Sequence, residues 1–196
     1  MEPLAVAVHA IELARVEPGE TAAVLGLGPV GLLTAQVAKV FGVSTVYGTD
    51  VHQYRVDASK RFGVDRAHIA NGNEVDAILD ETAGRGVDIV LDCARSADTV
   101  SIACNLARPG GRCIMVGISG NDEDPIAVGP ARRKELVMMW CRRFLFNMPA
   151  CISLVEQKRV DVESMVTHHF PLEQAPEAFD LVYRAADGVL KAAVDN

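Results

Sequence analysis

The chain has no apolar run approaching membrane-spanning length, no excess of basic residues, no CxxC pair and no low-complexity tract. These absences exclude several classes of function. A bilayer-crossing helix needs about 20 consecutive apolar residues, so none is expected. A net charge of −7 disfavours nucleic acid or an anionic membrane as the main partner. No basic region precedes the first apolar stretch, which Glu2 and Glu12 interrupt, so that stretch is not read as a signal peptide. The five cysteines (Cys93, Cys104, Cys113, Cys141 and Cys151) are scattered, and all but one fall in segments expected to be buried. They are read as core thiols in a reducing cytoplasm. The histidines are dispersed too, and only His168 and His169 adjoin. Neighbours on a strand face opposite ways, so no self-contained metal site is expected.

What is present is an alternation of strand and helix patterns. Leu4, Val8 and Ile11 are spaced for an opening helix over 3–15, with Pro18-Gly19 as its stop. Strands are expected at 21–25, 45–49, 67–69, 87–92, 112–117 and 136–141. Helices are expected at 30–41, 52–62, 74–82, 97–106 and 148–157, a turn at Arg108-Pro109-Gly110-Gly111, and a polar loop at 119–125. A strand at 167–170, a helix at 172–184 and a strand at 189–194 close the chain. Strands separated by single helices pair in parallel through right-handed crossovers. Two such halves, meeting near residues 82–87, fit a doubly wound α/β sheet (Rossmann fold) of order 3-2-1-4-5-6. Residues 1–160 are expected to form that domain and 161–196 a short appendage.

The segment Thr21 to Asp50 is the most specific. A strand runs into Gly26-Leu27-Gly28-Pro29-Val30-Gly31, a helix follows, and a second strand ends on Asp50, 19 residues past Gly31. Gly26 permits the tight turn, Gly28 lets a pyrophosphate approach the backbone, and Gly31 lets the helix pack close to the sheet. A helix starting near Val30 aims its free N–H groups at phosphate. Asp50 then stands where a carboxylate accepts the adenosine ribose hydroxyls, so NAD is expected over NADP. The alternative for Asp50 is an ordinary polar strand end.

With these residues in view the chain resembles the coenzyme domain of the zinc-type medium-chain alcohol and polyol dehydrogenases, the sorbitol dehydrogenase branch in particular. The matching pieces are Glu2-Pro3-Leu4-Ala5-Val6 with His9-Ala10, the glycine turn with its Pro29, Thr49-Asp50 with Arg55, and Val90-Leu91-Asp92-Cys93. Further along, Arg108-Pro109-Gly110-Gly111, Met115-Val116-Gly117, Leu154, the run Val166 to Glu173 and Ala178-Phe179 match as well. In that family a GroES-like domain precedes this segment and supplies the catalytic zinc ligands; its motifs do not occur here. The resemblance implies hydride transfer between a secondary alcohol or polyol and NAD, with zinc belonging to the longer enzyme. It also implies an appendage at 161–196 that packs on the catalytic domain.

The resemblance further implies cofactor contacts at Gly26, Gly28, Pro29, Val30, Gly31, Asp50, Arg55, Cys93, Ala94, Val116, Gly117, Ile118, Arg142 and Arg143. Arg143 matches a polyol-binding arginine, and Glu2 a glutamate beside the zinc. Each has a plainer alternative: Arg55 a solvated charge, Val116 to Ile118 a strand entering a loop, Arg142-Arg143 a charged strand end, and Glu2 an acid at a helix start. The chain departs from the family pattern at Arg95, where a glycine is usual, and at Phe144, where the branch has tyrosine. A following asparagine is displaced, as Asn147.

Two other classes compete. A methyltransferase shares a glycine-rich turn and an acid after strand two, but strand one has no acid before Gly26 and Pro29 suits the dehydrogenase turn better. A non-catalytic dinucleotide sensor is the other. For assembly, Leu136 to Cys141 is apolar on both faces yet falls on an outer strand, which is expected to pair in a homodimer or higher oligomer.

Overall fold

A computed structural model describes residues 1–94, 96, 98–118, 126 and 128–195. Arg95 and the polar loop expected at 119–125 lie outside them. The elements follow the alternation in the sequence. They are α1 (Glu2–Ala14), β1 (Thr21–Leu25), α2 (Pro29–Val40), β2 (Thr45–Asp50), α3 (Gln53–Ser59), β3 (Arg66–Ile69), α4 (Glu74–Glu81) and β4 (Val87–Asp92). Then come α5 (Asp98–Leu106), β5 (Ala107–Met115), α6 (Val128–Arg133), β6 (Val137–Trp140), α7 (Met148–Glu156), β7 (Val166–Pro171), α8 (Ala175–Tyr183) and β8 (Lys191–Asp195). No helix among the described residues is long and apolar enough to cross a membrane.

Six parallel strands form one sheet in the order β3-β2-β1-β4-β5-β6. Period-two alternation sends successive side chains to opposite faces. Ala22, Val24, Ile89, Leu91 and Ile114 pack with α1 and α2 in one core layer. Ala23, Leu25, Val90, Cys113 and Met115 pack in the other, with Ile78 of α4 and Ala103 and Leu106 of α5. Burial on both faces is why the middle of β4 is the unbroken apolar run Ile89-Val90-Leu91, with the acids Asp88 and Asp92 on either side of it. β7 and β8 pair in parallel as a separate two-stranded sheet spanned by α8.

Three local expectations shift and one helix is added. The opening helix ends at Ala14, where Arg15 takes a left-handed backbone (φ 47), so Pro18-Gly19 follows its end instead of making it. The Arg108-Pro109-Gly110-Gly111 turn is absorbed into β5 as a bulge, because pairing jumps from Val87↔Ala107 to Ile89↔Arg112. The helix expected from 172 begins with a 3₁₀ turn over Leu172–Gln174, and the α-helix starts only at Ala175, where Pro176 is tolerated in the first turn. Helix α6 falls in a stretch to which the sequence pattern assigns no element, and its Pro130 lies in the first turn, where a missing N–H is tolerated. Just beyond α6, Lys134 donates to the carbonyls of Cys104 (3.1 Å), Asn105 (2.6 Å) and Ala107 (2.8 Å), closing the negative end of α5.

Candidate dinucleotide site

The expected site residues gather along the carboxyl ends of the parallel strands, where a doubly wound sheet opens a crevice. In sheet order they run from Asp50 on β2, through the glycine turn after β1 and Cys93-Ala94 after β4, to Val116-Gly117-Ile118 after β5 and Arg142-Arg143 after β6. Val116 to Ile118 lie just past the end of β5 at Met115.

The glycine turn has the shape its sequence implies. Gly26 has φ +86, a conformation side chains disfavour, and its N–H donates to Thr49 O at 2.7 Å. A Cβ on Gly31 would overlap the Gly26 carbonyl oxygen, so α2 lies too close to the turn for any side chain there. Gly28 differs: a Cβ there would meet nothing nearer than Arg55 Nη1 at 4.0 Å. The missing side chain at Gly28 leaves an open cradle at the start of α2, which Pro29 begins.

Asp50 closes one end of this cradle. It is 5% exposed. Its Oδ2 accepts from Leu27 N–H at 2.8 Å and stands 3.4 Å from Arg55 Nη1, while Oδ1 accepts from His52 N–H at 2.9 Å. Three partners leave about one of a carboxylate's four lone-pair directions for an incoming hydroxyl. Arg55, on the first turn of α3, reaches back over Gly28 rather than into solvent, so it is no stray surface charge.

At the centre of the crest three loops converge on Ala94. A Cβ on Gly26 would come within 3.0 Å of Ala94 N, and one on Gly117 would overlap Ala94 O. Asp92 fixes this junction. Its side chain accepts from Ala94 N–H (3.0 Å) and Thr99 Oγ1–H (2.7 Å), and its carbonyl accepts from both Val116 N–H and Gly117 N–H at 2.8 Å. Neither Asp92 nor Thr99 stood out as a site residue in the sequence; the available signal was an acid directly after the apolar run Ile89 to Leu91 and just before Cys93-Ala94. Cys93 is partly exposed as a residue, yet desolvation pushes its thiol up to about 12, with Thr34 Oγ1 3.7 Å from the sulfur, which makes it a poor nucleophile.

Arg142 and Arg143 are exposed beyond β6, two strands past the Ala94 junction, and Arg143 adopts a left-handed backbone (φ 55). They are not brought against the glycine turn. Glu2 is exposed in the first turn of α1, at the positive end of its dipole. Among the described residues no group of three or more His, Cys, Asp or Glu side chains could hold a metal ion.

Comparison with known proteins follows the same outline. The sequence model for zinc-binding dehydrogenases matches residues 29–157. The chain belongs to the zinc-binding dehydrogenase family. It is 32% identical over 197 aligned residues to a sorbitol dehydrogenase of Bacillus subtilis (strain 168), covering 99% of this chain and 55% of that protein. Among solved structures it is similar to the alcohol dehydrogenase TADH from Thermus sp. ATN1, with TM-score 0.90 and 30% identity over 97% of this chain and 55% of that one. A putative zinc-binding dehydrogenase from Sinorhizobium meliloti 1021, bound to NADP, gives TM-score 0.90 at 28% identity over 100% of this chain and 58% of that one. The chain therefore spans about half the length of these dehydrogenase relatives. Membership sets the methyltransferase reading aside.

Proposed function

We propose that this chain is the NAD-binding part of a dehydrogenase acting on a secondary alcohol or polyol. The observation that carries the reading is the open cradle at Gly28, bounded by the N-terminus of α2 on one side and by Asp50 and Arg55 on the other. A pyrophosphate fits the α2 N-terminus, whose N–H groups and dipole favour an anion. Asp50 receives the adenosine ribose through its remaining acceptor capacity and repels a 2′-phosphate. The tight Gly26–Ala94–Gly117 junction gives the nicotinamide end a fixed backbone wall, with Val116 and Ile118 beside it. When bound, NAD supplies the hydride acceptor; the residues of this chain hold and orient it. Resemblance to the sorbitol dehydrogenase supports a polyol substrate, with Arg143 as its contact.

The rest of the reading follows the same relatives. Zinc belongs to a further domain, beside which Glu2 stands. The unit of β7, α8 and β8 packs against that domain, consistent with Phe179 and Tyr183 of α8 being 77% and 90% exposed. β6 is the outer strand of the sheet, with Val137 47% and Trp140 61% exposed, and it pairs with a second copy to form a homodimer. Five unpaired cysteines, four of them buried, suit the reducing cytoplasm.

Calorimetric titration tests the central claim. NAD is expected to bind and S-adenosylmethionine is not. Binding of neither dinucleotide, NAD or NADP, overturns the reading.

A further inference from the structure

Tyr54 has no part in the glycine-turn motif, yet it is the hinge point of a continuous polar chain. Arg55 Nε–H donates to Tyr54 Oη at 3.1 Å, and the Arg55 guanidinium carbon lies 5.6 Å from the Tyr54 ring centroid. Guanidinium can only donate, so the Tyr54 hydroxyl is the acceptor there and its own proton is available. That proton goes to the carbonyl of Val189 at 3.2 Å, 135 residues away in sequence. Both directions are thus set by chemistry: arginine to tyrosine to carbonyl. At the other end, Arg55 Nη1 stands 3.4 Å from Asp50 Oδ2 and overhangs Gly28. Arg55 Nη2 makes no hydrogen bond among the described residues, which leaves it able to receive an oxygen from a ligand in the cradle.

Val189 is not an incidental partner. It is 2% exposed and stands at the entry to β8, and the next residue, Leu190, is buried in the main core while its N–H donates to Thr167 Oγ1 of β7 at 3.1 Å. This is where the small β7–β8 sheet is plugged into the large domain. One hydroxyl therefore touches both the arginine at the cofactor cradle and the anchor of the C-terminal unit.

We infer that Tyr54 is a positioning residue that fixes Arg55 over the dinucleotide cradle and ties cofactor binding to the seating of the C-terminal unit. The inference rests on the dinucleotide reading above. When a ligand oxygen engages the guanidinium, Arg55 loses its freedom to swing out. The Tyr54 hydroxyl, held from that side, is then more often aligned with Val189, and the turn before β8 opens less. By linkage the reverse also holds: a firmly seated C-terminal unit raises dinucleotide affinity by the same factor.

The test combines NAD titration with amide hydrogen exchange read over residues 186–195 of the whole chain. In the unaltered protein, saturating NAD should slow exchange in this segment. Tyr54→Phe, which removes only the hydroxyl, should weaken NAD binding about three- to ten-fold and abolish that added protection. In an Arg55→Gln background the Tyr54→Phe change should cost almost no further affinity, because the two residues act as one unit. A purely structural Tyr54 predicts additive losses instead. Additivity, or protection that persists in Tyr54→Phe, overturns the inference while leaving the dinucleotide reading intact. Failure of the unaltered chain to bind NAD or NADP overturns both.

Discussion

Asp50 and Leu27 are joined across the mouth of the crevice: Asp50 Oδ2, at the end of β2, accepts the Leu27 backbone N–H at 2.8 Å. The acid proposed to receive the ribose thus also braces the glycine turn against β2. Its two duties separate in part by substitution. Asp50→Asn removes the charge and can keep one acceptor, for Leu27, while its NH2 then faces the His52 N–H; Asp50→Ala removes the charge and both acceptors.

Cofactor preference follows from that pairing. NAD should bind more tightly than NADP, and Asp50→Asn should narrow the gap at a smaller cost in stability than Asp50→Ala, because it keeps one of the two backbone acceptors. Asp50→Ala should narrow it too, and should cost about 1–3 kcal/mol of stability by leaving the Leu27 and His52 N–H groups without their acceptor. Calorimetry against both cofactors, with thermal melts, checks the split. Equal or tighter NADP binding by the unaltered chain would show that Arg55, not Asp50, governs this end of the site.

The glycines of the turn should respond differently to alanine. Gly31→Ala places a Cβ inside the Gly26 carbonyl oxygen, so α2 must move off the sheet and the fold should lose roughly 1–3 kcal/mol. Gly28→Ala meets no protein atom nearer than 4.0 Å, so it should melt like the unaltered chain yet bind NAD at least ten-fold more weakly. Matching melts with intact NAD affinity for Gly28→Ala would remove the cradle from the site.

Stability in acid should depend on Asp88, at the opposite end of the sheet from the glycine turn. Burial works against its charged form. Hydrogen bonds from Arg85, from Arg108 and from Thr21 outweigh burial and hold the carboxyl well below the usual carboxylate range. A folded-state pKa below the unfolded value means the stabilisation is complete above about pH 4 and is lost as pH falls through the lower folded value. Asp88→Asn should destabilise the chain near neutrality by on the order of 2 kcal/mol, short of a fully enclosed pair because Arg85 is half exposed. The same variant should flatten the acid limb of a pH–stability curve. An unchanged acid limb would locate the acid-sensitive group elsewhere.

The chain on its own should bind no stoichiometric zinc and should not oxidise alcohols or polyols. A catalytic zinc needs three protein ligands plus an open position, and the described residues bring no such group together. Elemental analysis after dialysis, and an NADH absorbance assay with sorbitol, check both halves. About one zinc per chain would refute the first.

Self-association should run through β6. Trp140, 61% exposed on the outer strand, can be changed without opening the core. Light scattering should give a dimer mass for the unaltered chain and a monomer for Trp140→Lys. A monomer in both cases would mean that β6 is not the pairing edge.

Local pattern determined much of this molecule. The order of strands and helices, the doubly wound sheet, the glycine turn and the acid ending β2 all follow from short-range periodicity, turn chemistry and one fixed spacing, and these are properties of neighbours in sequence. The bulge in β5 was hidden because Arg108 to Gly111 carries turn residues that the surrounding packing overrides, and helix α6 falls where the sequence pattern assigns no element. Tertiary structure alone decided which residues meet. Ala94 sits between Gly26 and Gly117, Asp92 pins that junction, and the Tyr54 hydroxyl spans 135 residues to Val189. Such contacts depend on strand register and on how closely two backbones approach. A sequence states which groups can donate, accept or do without a side chain, but it is the packed sheet that selects their partners.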